Sequence, residues 1–175
     1  MSIDTENTAP LVVGSGEGQA VWFRANRIRV MATGATTGGG FSFSEVLAAP
    51  GDSPPLHIQH AEEESFYLLE GRMKFRLDDR IISAGPGTLV RIPAGAPHSF
   101  LVEGHTPARF LNLMVPGGGE RLFLEAGRPA ETEGLPPTDV TDFDVMRRVA
   151  AELHQEIVGP PLTPDVVAEL EASEG

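Results

Sequence analysis

Apolar and polar residues alternate in short runs along the first two thirds of the chain, and turn-forming residues separate the runs. In Met73-Lys74-Phe75-Arg76-Leu77 the apolar side chains fall on one face and the cations on the other, as on a half-buried β-strand. Runs of this length and spacing are typical of an antiparallel sandwich or barrel. The pattern predicts strands over residues 21–23, 27–33, 41–47, 65–70, 73–77, 88–92, 99–102 and 108–115.

The alternation ends after Val115, and helical patterns follow. We expect one or two helical turns over residues 120–126, a helix over 141–154, and a short terminal helix that starts at Thr163-Pro164, where proline suits the first helical position. The sequence therefore predicts a single domain with three parts. These are an N-terminal arm (1–19), a β-barrel (20–125), and a C-terminal loop and helices packed on the barrel (126–175).

Charge and composition narrow the function classes. The 175 residues carry a formal net charge of −12, and the 13 lysines and arginines are scattered along the chain. Such a charge repels nucleic acids and anionic membrane surfaces, so we expect neither as a partner. The lack of cysteine excludes disulfides, thiolate nucleophiles and Cys-ligated zinc. Because the sequence shows no secretion signal and no apolar run of about 18 residues, we expect a cytoplasmic protein.

Two histidine clusters beside predicted turns carry the candidate chemistry. In the first, His57 and Gln59 share one face of a strand, and Glu64 follows an acidic turn so that it can face His57 across a hairpin. In the second, His98 follows a tight turn. Two imidazoles and a carboxylate converging from three strands suit a divalent transition metal that keeps open positions for water or substrate.

Both clusters resemble the two sequence motifs of the cupin superfamily. Fifteen residues separate Gly71 from Gly87, which equals the shortest spacing familiar between the motifs. Phrases such as PPLHIQHAEEESFYLLEG and AGPGTLVRIPAGAPHSF extend the resemblance, over about residues 20–162, to quercetin 2,3-dioxygenase-like single-domain (monocupin) proteins. The matching positions are Gly51, His57, Glu64 and Gly71 in the first motif and Gly87, Pro93, Gly95 and His98 in the second.

The resemblance implies an all-β fold, the double-stranded β-helix of the cupin jelly-roll barrel, with a short C-terminal helical tail. It also implies one divalent transition metal ion (iron, nickel, manganese, cobalt or zinc) as cofactor. The implied ligands are His57, Gln59, Glu64 and His98.

Two positions depart from the motifs. Gln59 stands where the second ligand histidine is usual, and Val102 replaces the asparagine that ends the second motif. Three interpretations of the first departure stay open: Gln59 acts as a weak oxygen ligand or as a hydrogen-bond donor behind the ligands, His60 substitutes for it through a strand bulge, or no metal binds. Glu62 is a further candidate for a position behind the ligands, because related proteins often carry an acid there.

In quercetinase-like cupins the metal binds the enolate of the substrate and positions it for oxygen, while the glutamate of the first motif acts as a base. The resemblance therefore assigns both metal ligation and general-base catalysis to Glu64. It implies an apolar mouth suited to a flat aromatic or polyketide-like substrate. The side chains expected to line that mouth are Phe66, Met73, Phe75 and Phe100.

Three functions remain open at this point. The first is a dioxygenase that acts on an aromatic, enolic or polyketide-like substrate, with O2 as co-substrate. The second is a cyclase, isomerase or dehydratase of secondary metabolism that uses the metal as a Lewis acid. The third is a metal-free ligand-binding barrel. We also expect a homodimer, formed through an edge strand near Val21–Thr33.

Overall fold

The computed structural model of the protein describes residues 10–173, so residues 1–9 of the predicted arm lie outside the described residues. Regular structure begins at Gln19, at the end of that arm. The elements are β1 (Gln19–Phe23), β2 (Asn26–Ala32), β3 (Ser42–Ala48), β4 (Pro55–Gln59), β5 (Glu63–Glu70), β6 (Met73–Leu77), β7 (Arg80–Ala84), β8 (Leu89–Ile92), β9 (His98–Val102), β10 (Ala108–Val115), α1 (Arg121–Ala126), β11 (Arg128–Pro129), α2 (Phe143–Glu152), β12 (Gln155–Pro161) and α3 (Pro164–Ser173).

The strands form two antiparallel sheets. One has the order β11-β1-β2-β3-β10-β5-β8, and the other has the order β12-β4-β9-β6-β7. Strands β3 and β10 alternate strictly between buried and half-buried positions, as expected where one face of a sheet covers a core. The predicted all-β jelly roll with a helical tail is confirmed.

Aromatic rings fill the space between the sheets. Phe66 on β5 packs against Phe75 with ring centroids 5.1 Å apart, against Phe110 at 5.5 Å and against Phe100 at 5.9 Å. Tilted and edge-to-face contacts at these separations are the preferred geometry of aromatic pairs. These rings therefore form a packed aromatic layer within the core.

The C-terminal part supplies strands as well as helices. The predicted helix is confirmed as α2, with Asp142 as its N-cap and Val149 fully buried. The prediction of only loop and helices after residue 125 is wrong, because β11 and β12 join the two sheets. The segment Gly159-Pro160-Pro161, whose prolines predicted a break, lies in β12. Prolines are tolerated there because β12 is an edge strand.

The predicted dimer edge at Val21–Thr33 is not an edge. Strand β2 lies between β1 and β3, and the two residues of β11 pair with Val21 and Trp22 of β1. This part of the expectation is wrong, because a segment distant in sequence covers the strand. The homodimer itself stays a prediction. Among residues 10–173, no helix is both long enough and apolar enough to cross a membrane.

Candidate metal centre

Three side chains from the two sheets meet at the mouth of the barrel. His57 on β4 lies opposite His98 on β9, and their ring centroids are 4.3 Å apart. Glu64 enters from β5 on the other sheet. One donor atom from each of the three residues lies within 4.8 Å of the others. The structure thus brings together the three residues that the motifs single out, in a cluster of a size that one metal ion can bridge.

Backbone carbonyls orient both imidazoles. His57 Nδ1 lies 2.8 Å from the carbonyl oxygen of Pro55, and His98 Nδ1 lies 2.9 Å from that of Ala96. Because a carbonyl oxygen only accepts hydrogen bonds, each Nδ1 carries the proton. In the neutral form of each ring, Nε2 is then left with its lone pair, which is the arrangement of metal-binding histidines whose other nitrogen is hydrogen-bonded.

Asn112 on β10 fixes the Glu64 carboxylate. Its Nδ2 donates a 2.7 Å hydrogen bond to Glu64 Oε1, while Glu64 Oε2 lies 3.3 Å from His98 Nε2. Sequence reasoning missed Asn112. A signal was present in β10, where Asn112 is the polar residue on a face otherwise formed by Ala108, Phe110 and Met114.

Burial and mutual contacts set the protonation states of the cluster. Burial lowers the pKa of His57, and the neighbouring His98 lowers it further. Burial alone would raise the pKa of Glu64, but His98, His57 and Asn112 together hold it below its ordinary value. For His98, burial opposes the charge, yet contact with the Glu64 carboxylate raises the pKa. Glu64 is therefore an ionised carboxylate at neutral pH, and His57 is a neutral imidazole.

Gln59 is buried beside the cluster, with 5% of its surface exposed. Its Oε1 is a buried atom without a hydrogen-bond partner among residues 10–173, whereas His98 Nε2 lies 3.3 Å from Glu64 Oε2. Leaving an atom such as Gln59 Oε1 unpaired costs on the order of 1–3 kcal/mol, so an unmet partner is expected. A divalent cation fits this need, because the donor set then combines two imidazole nitrogens, a carboxylate and an amide oxygen.

An apolar cavity of about 110 Å³ surrounds the cluster. Phe66 and Phe100, two of the residues expected to line the mouth, line this cavity together with Phe110, which the strand pattern did not single out. The prediction is wrong for Met73 and Phe75, which are fully buried in the core and do not reach the cavity. Alternation shows which face of a strand points inward, but it does not show how deep along the barrel a residue lies.

His60 does not belong to the cluster. Its side chain is 49% exposed and its Nε2 lies 3.1 Å from Glu156 Oε2. Strand β4 ends at Gln59, and the His60 backbone N–H donates to His154. The hypothesis that His60 substitutes for the missing histidine ligand is therefore wrong, because no bulge turns it inward.

Glu62, the other acidic candidate near the ligands, is buried at 3% exposure. Burial raises its pKa to about 7, and the charges of Glu64 and Glu120 add to the effect. Its Oε2 has no hydrogen-bond partner among the described residues. A carboxyl group that is costly to ionise thus stands next to one that is held ionised.

The raised pKa of Glu62 leads to a testable prediction for the stability of the metal-free protein. A raised pKa means that the folded state loses stability as the pH rises from 4.5 to about 7, on the order of 1–2 kcal/mol after allowance for solvent screening. Glu62→Gln is expected to be more stable than the wild type by that amount at pH 8 and equal to it at pH 5, in urea unfolding with chelator present. Glu63→Gln, at the half-exposed neighbouring position, is the control. An equal gain at both pH values would contradict the assignment.

The comparisons with known proteins concern the family and fold of this chain. Residues 44–116 match the Cupin_2 cupin domain family. The chain is 30% identical over 128 residues to quercetin 2,3-dioxygenase of Bacillus subtilis, which is 73% of this chain and 38% of that protein. It is 26% identical over 129 residues to acireductone dioxygenase of Danio rerio, which covers 65% of this chain and 64% of that one. The chain thus spans less than two thirds of either relative.

A solved structure supports the fold. A predicted oxalate decarboxylase from Thermotoga maritima superposes with a TM-score of 0.55 at 22% identity, over 60% of this chain and 98% of that chain. Residues 44–116 are a cupin domain, and the protein belongs to the cupin superfamily. Within that superfamily it is similar to quercetin 2,3-dioxygenase.

Proposed function

We propose that this protein is a metal-dependent dioxygenase that acts on a small enolic or aromatic substrate. The observation that supports it most directly is the cluster of His57, Glu64 and His98 in an apolar cavity. Gln59 lines the same cavity, and its buried Oε1 has no hydrogen-bond partner among residues 10–173. The similarity to quercetin 2,3-dioxygenase points to the same reaction class. In the proposed reaction both atoms of O2 enter the products and the substrate itself supplies the four electrons that reduce O2, so no external reductant is needed.

The residues of the chain have distinct roles in this proposal. His57, Glu64 and His98 hold the metal, and Gln59 adds an amide oxygen. A divalent transition metal, when bound, supplies Lewis acidity that favours the enolate form of a substrate. Glu64 accepts the proton of the substrate hydroxyl, and its hydrogen bond from Asn112 keeps the carboxylate aimed.

The cavity floor controls what reaches the cluster. Phe66, Phe100 and Phe110 present ring faces and edges without polar groups, so a flat apolar ring packs on them and water is excluded. Exclusion of water strengthens the electrostatic interactions at the ligands and protects a reactive enolate.

Gln59 supports a second candidate function. An amide oxygen is a neutral donor and a weaker one than imidazole, so the metal keeps more of its positive charge. A more electrophilic metal favours Lewis-acid chemistry without oxygen, such as cyclisation, isomerisation or dehydration. We therefore retain this reaction class as the alternative to dioxygenation.

The test measures metal content and oxygen uptake together. Protein is loaded separately with iron, nickel, manganese, cobalt and zinc, and each form is given quercetin in an oxygen electrode. We expect at least one form to consume oxygen in proportion to quercetin lost, and we expect uptake to return to background with chelator. Quercetin loss without oxygen uptake would favour the alternative. If none of the metals binds, both the dioxygenase and the Lewis-acid function are contradicted, and a metal-free ligand-binding barrel is left as the interpretation.

A further inference from the structure

A second cavity of about 300 Å³ lies directly outside the metal cluster, and we call it the outer cavity. Its outer wall is formed by α2 and β12, through Phe143, Met146, Ala150 and Ile157. It adjoins the inner cavity around the cluster, because several residues line both cavities. The residues that line both cavities are Phe23, Arg24, Pro54, His57, Leu122 and Gln155.

Two large apolar side chains of the outer cavity are exposed to solvent. Phe143 is 49% exposed and Ile157 is 63% exposed. Ile157 lies opposite His57 in the β4–β12 pair, so its side chain stands on the same face of the sheet as the metal ligand. Exposed apolar groups that converge on one concave surface mark a binding site, because covering them removes apolar area from water.

The wall is held in place. The backbone N–H of Arg24 donates to Thr141 Oγ1 at 2.5 Å just before α2, and Val149 in α2 is fully buried. Arg121 of α1 pairs with Glu152 at the other end of α2, at 2.7 Å. The outer cavity is thus a preformed surface, and a ligand gains binding energy there without first ordering the helix.

Size and charge define what fits. The inner cavity, at about 110 Å³, is smaller than the cavity of roughly 150 Å³ that holds benzene, so it has room for no more than one ring. Both cavities together reach the range usual for larger ligands, which starts at about 300 Å³. The Arg24 guanidinium is paired with Asp52 at 3.0 Å and donates to the Ser53 carbonyl at 2.7 Å. Its charge is already balanced, and Asp139, the acidic side chain in the lining, is exposed and repels anions, so the site suits an uncharged ring system.

We propose that the outer cavity is a specificity site, which binds the uncharged rings attached to the reacting enol, and that Phe143 and Ile157 set the preference for substrates of two or more rings. The placement of the enol at the metal rests on the proposed function. The reacting end then occupies the inner cavity, and the remainder extends past His57 and Leu122 to α2 and β12.

The test compares two probes that share one chelating head. Maltol carries a single 3-hydroxy-4-pyranone ring, and 3-hydroxyflavone carries the same group with a fused ring and a phenyl substituent. Dissociation constants are measured by calorimetry without oxygen, on zinc-loaded protein. We expect Phe143→Ala and Ile157→Ala each to weaken 3-hydroxyflavone binding roughly tenfold and to change maltol binding less than about twofold.

Val158→Ala is the matched control for Ile157→Ala. Val158 is also an exposed aliphatic residue of β12, at 41%, but it does not line the outer cavity. We expect this variant to bind both probes like the wild type. Because Phe143 and Ile157 lie on different elements, parallel losses in both variants also exclude local unfolding of α2 as the cause.

Two results would overturn the proposal: wild-type protein that binds 3-hydroxyflavone no more tightly than maltol, or losses in Ile157→Ala that Val158→Ala reproduces. Failure of the proposed function is seen separately, in the oxygen electrode. If oxygen uptake is absent while the probe pattern holds, the specificity site stands and the dioxygenase assignment falls.

Discussion

Alanine in place of His57 or His98 is expected to lower metal affinity by about 100-fold or more and to abolish metal-dependent turnover. Each histidine supplies one Nε2 whose Nδ1 is already hydrogen-bonded to a backbone carbonyl. Its loss removes both a ligand and the preorganisation that made the ligand effective. The measurement is the metal retained after gel filtration, by elemental analysis, together with a competition titration against a chromogenic chelator.

His60→Ala is the control for both variants. His60 is three residues from His57 in sequence, yet it lies at the surface against Glu156 and outside the cluster. We expect it to retain wild-type metal content. Because His98 is fully buried, thermal unfolding of the metal-free variants is compared as well. Wild-type metal affinity in folded His57→Ala or His98→Ala protein would contradict the assigned centre.

The motif spacing predicts the cluster because it specifies turns. Gly51, Gly71, Gly87 and Gly95 all adopt positive φ, between 76° and 86°. This region of backbone conformation is open to glycine and strained for residues with a Cβ. The positions where the chain must turn are thereby set, and with them the strand positions from which His57, Glu64 and His98 converge. Turn positions that depend on glycine can therefore be predicted from a sequence.

The pairing of strands that are distant in sequence cannot be predicted in the same way. Asn112 reaches Glu64 because β10 pairs with β5 in one particular register, opposite Phe66, and no local pattern states that register. Strand β12 was missed for a similar reason. Its prolines predict a break, and only its position at the sheet edge beside β4 makes them compatible with a strand. The outer cavity depends on that strand and was therefore missed with it.

Gln59 shows where sequence and structure complement each other. The motif identifies it as a departure, and alternation places it on the same face as His57. Its burial and its unpaired Oε1 come only from the structure. These two observations support the proposal that Gln59 contributes an oxygen ligand, while the exposed position of His60 excludes it as the substitute ligand.

Glu64→Gln is expected to lower the turnover rate by about 10³-fold even when the protein is saturated with metal, because general-base catalysis contributes roughly 10²–10⁴-fold. The substitution keeps the size of the side chain and removes its charge and its ability to accept a proton. Since Glu64 is also a candidate ligand, rates are compared at equal metal content. Glu64→Asp, which keeps the carboxylate but shortens the side chain, is expected to lose less.

Asn112→Ala tests how much the orientation of the Glu64 carboxylate contributes to the rate, separately from its ability to accept a proton. Asn112 donates to Glu64 Oε1 at 2.7 Å, so its removal leaves the base present but free to rotate. We expect a loss of about tenfold in rate with metal content unchanged, between wild type and Glu64→Gln. The order wild type, Asn112→Ala, Glu64→Gln is the result that identifies Glu64 as the base. If metal-loaded Glu64→Gln turned over at the wild-type rate, proton removal would have to come from another group, and the role of Glu64 would reduce to holding the metal.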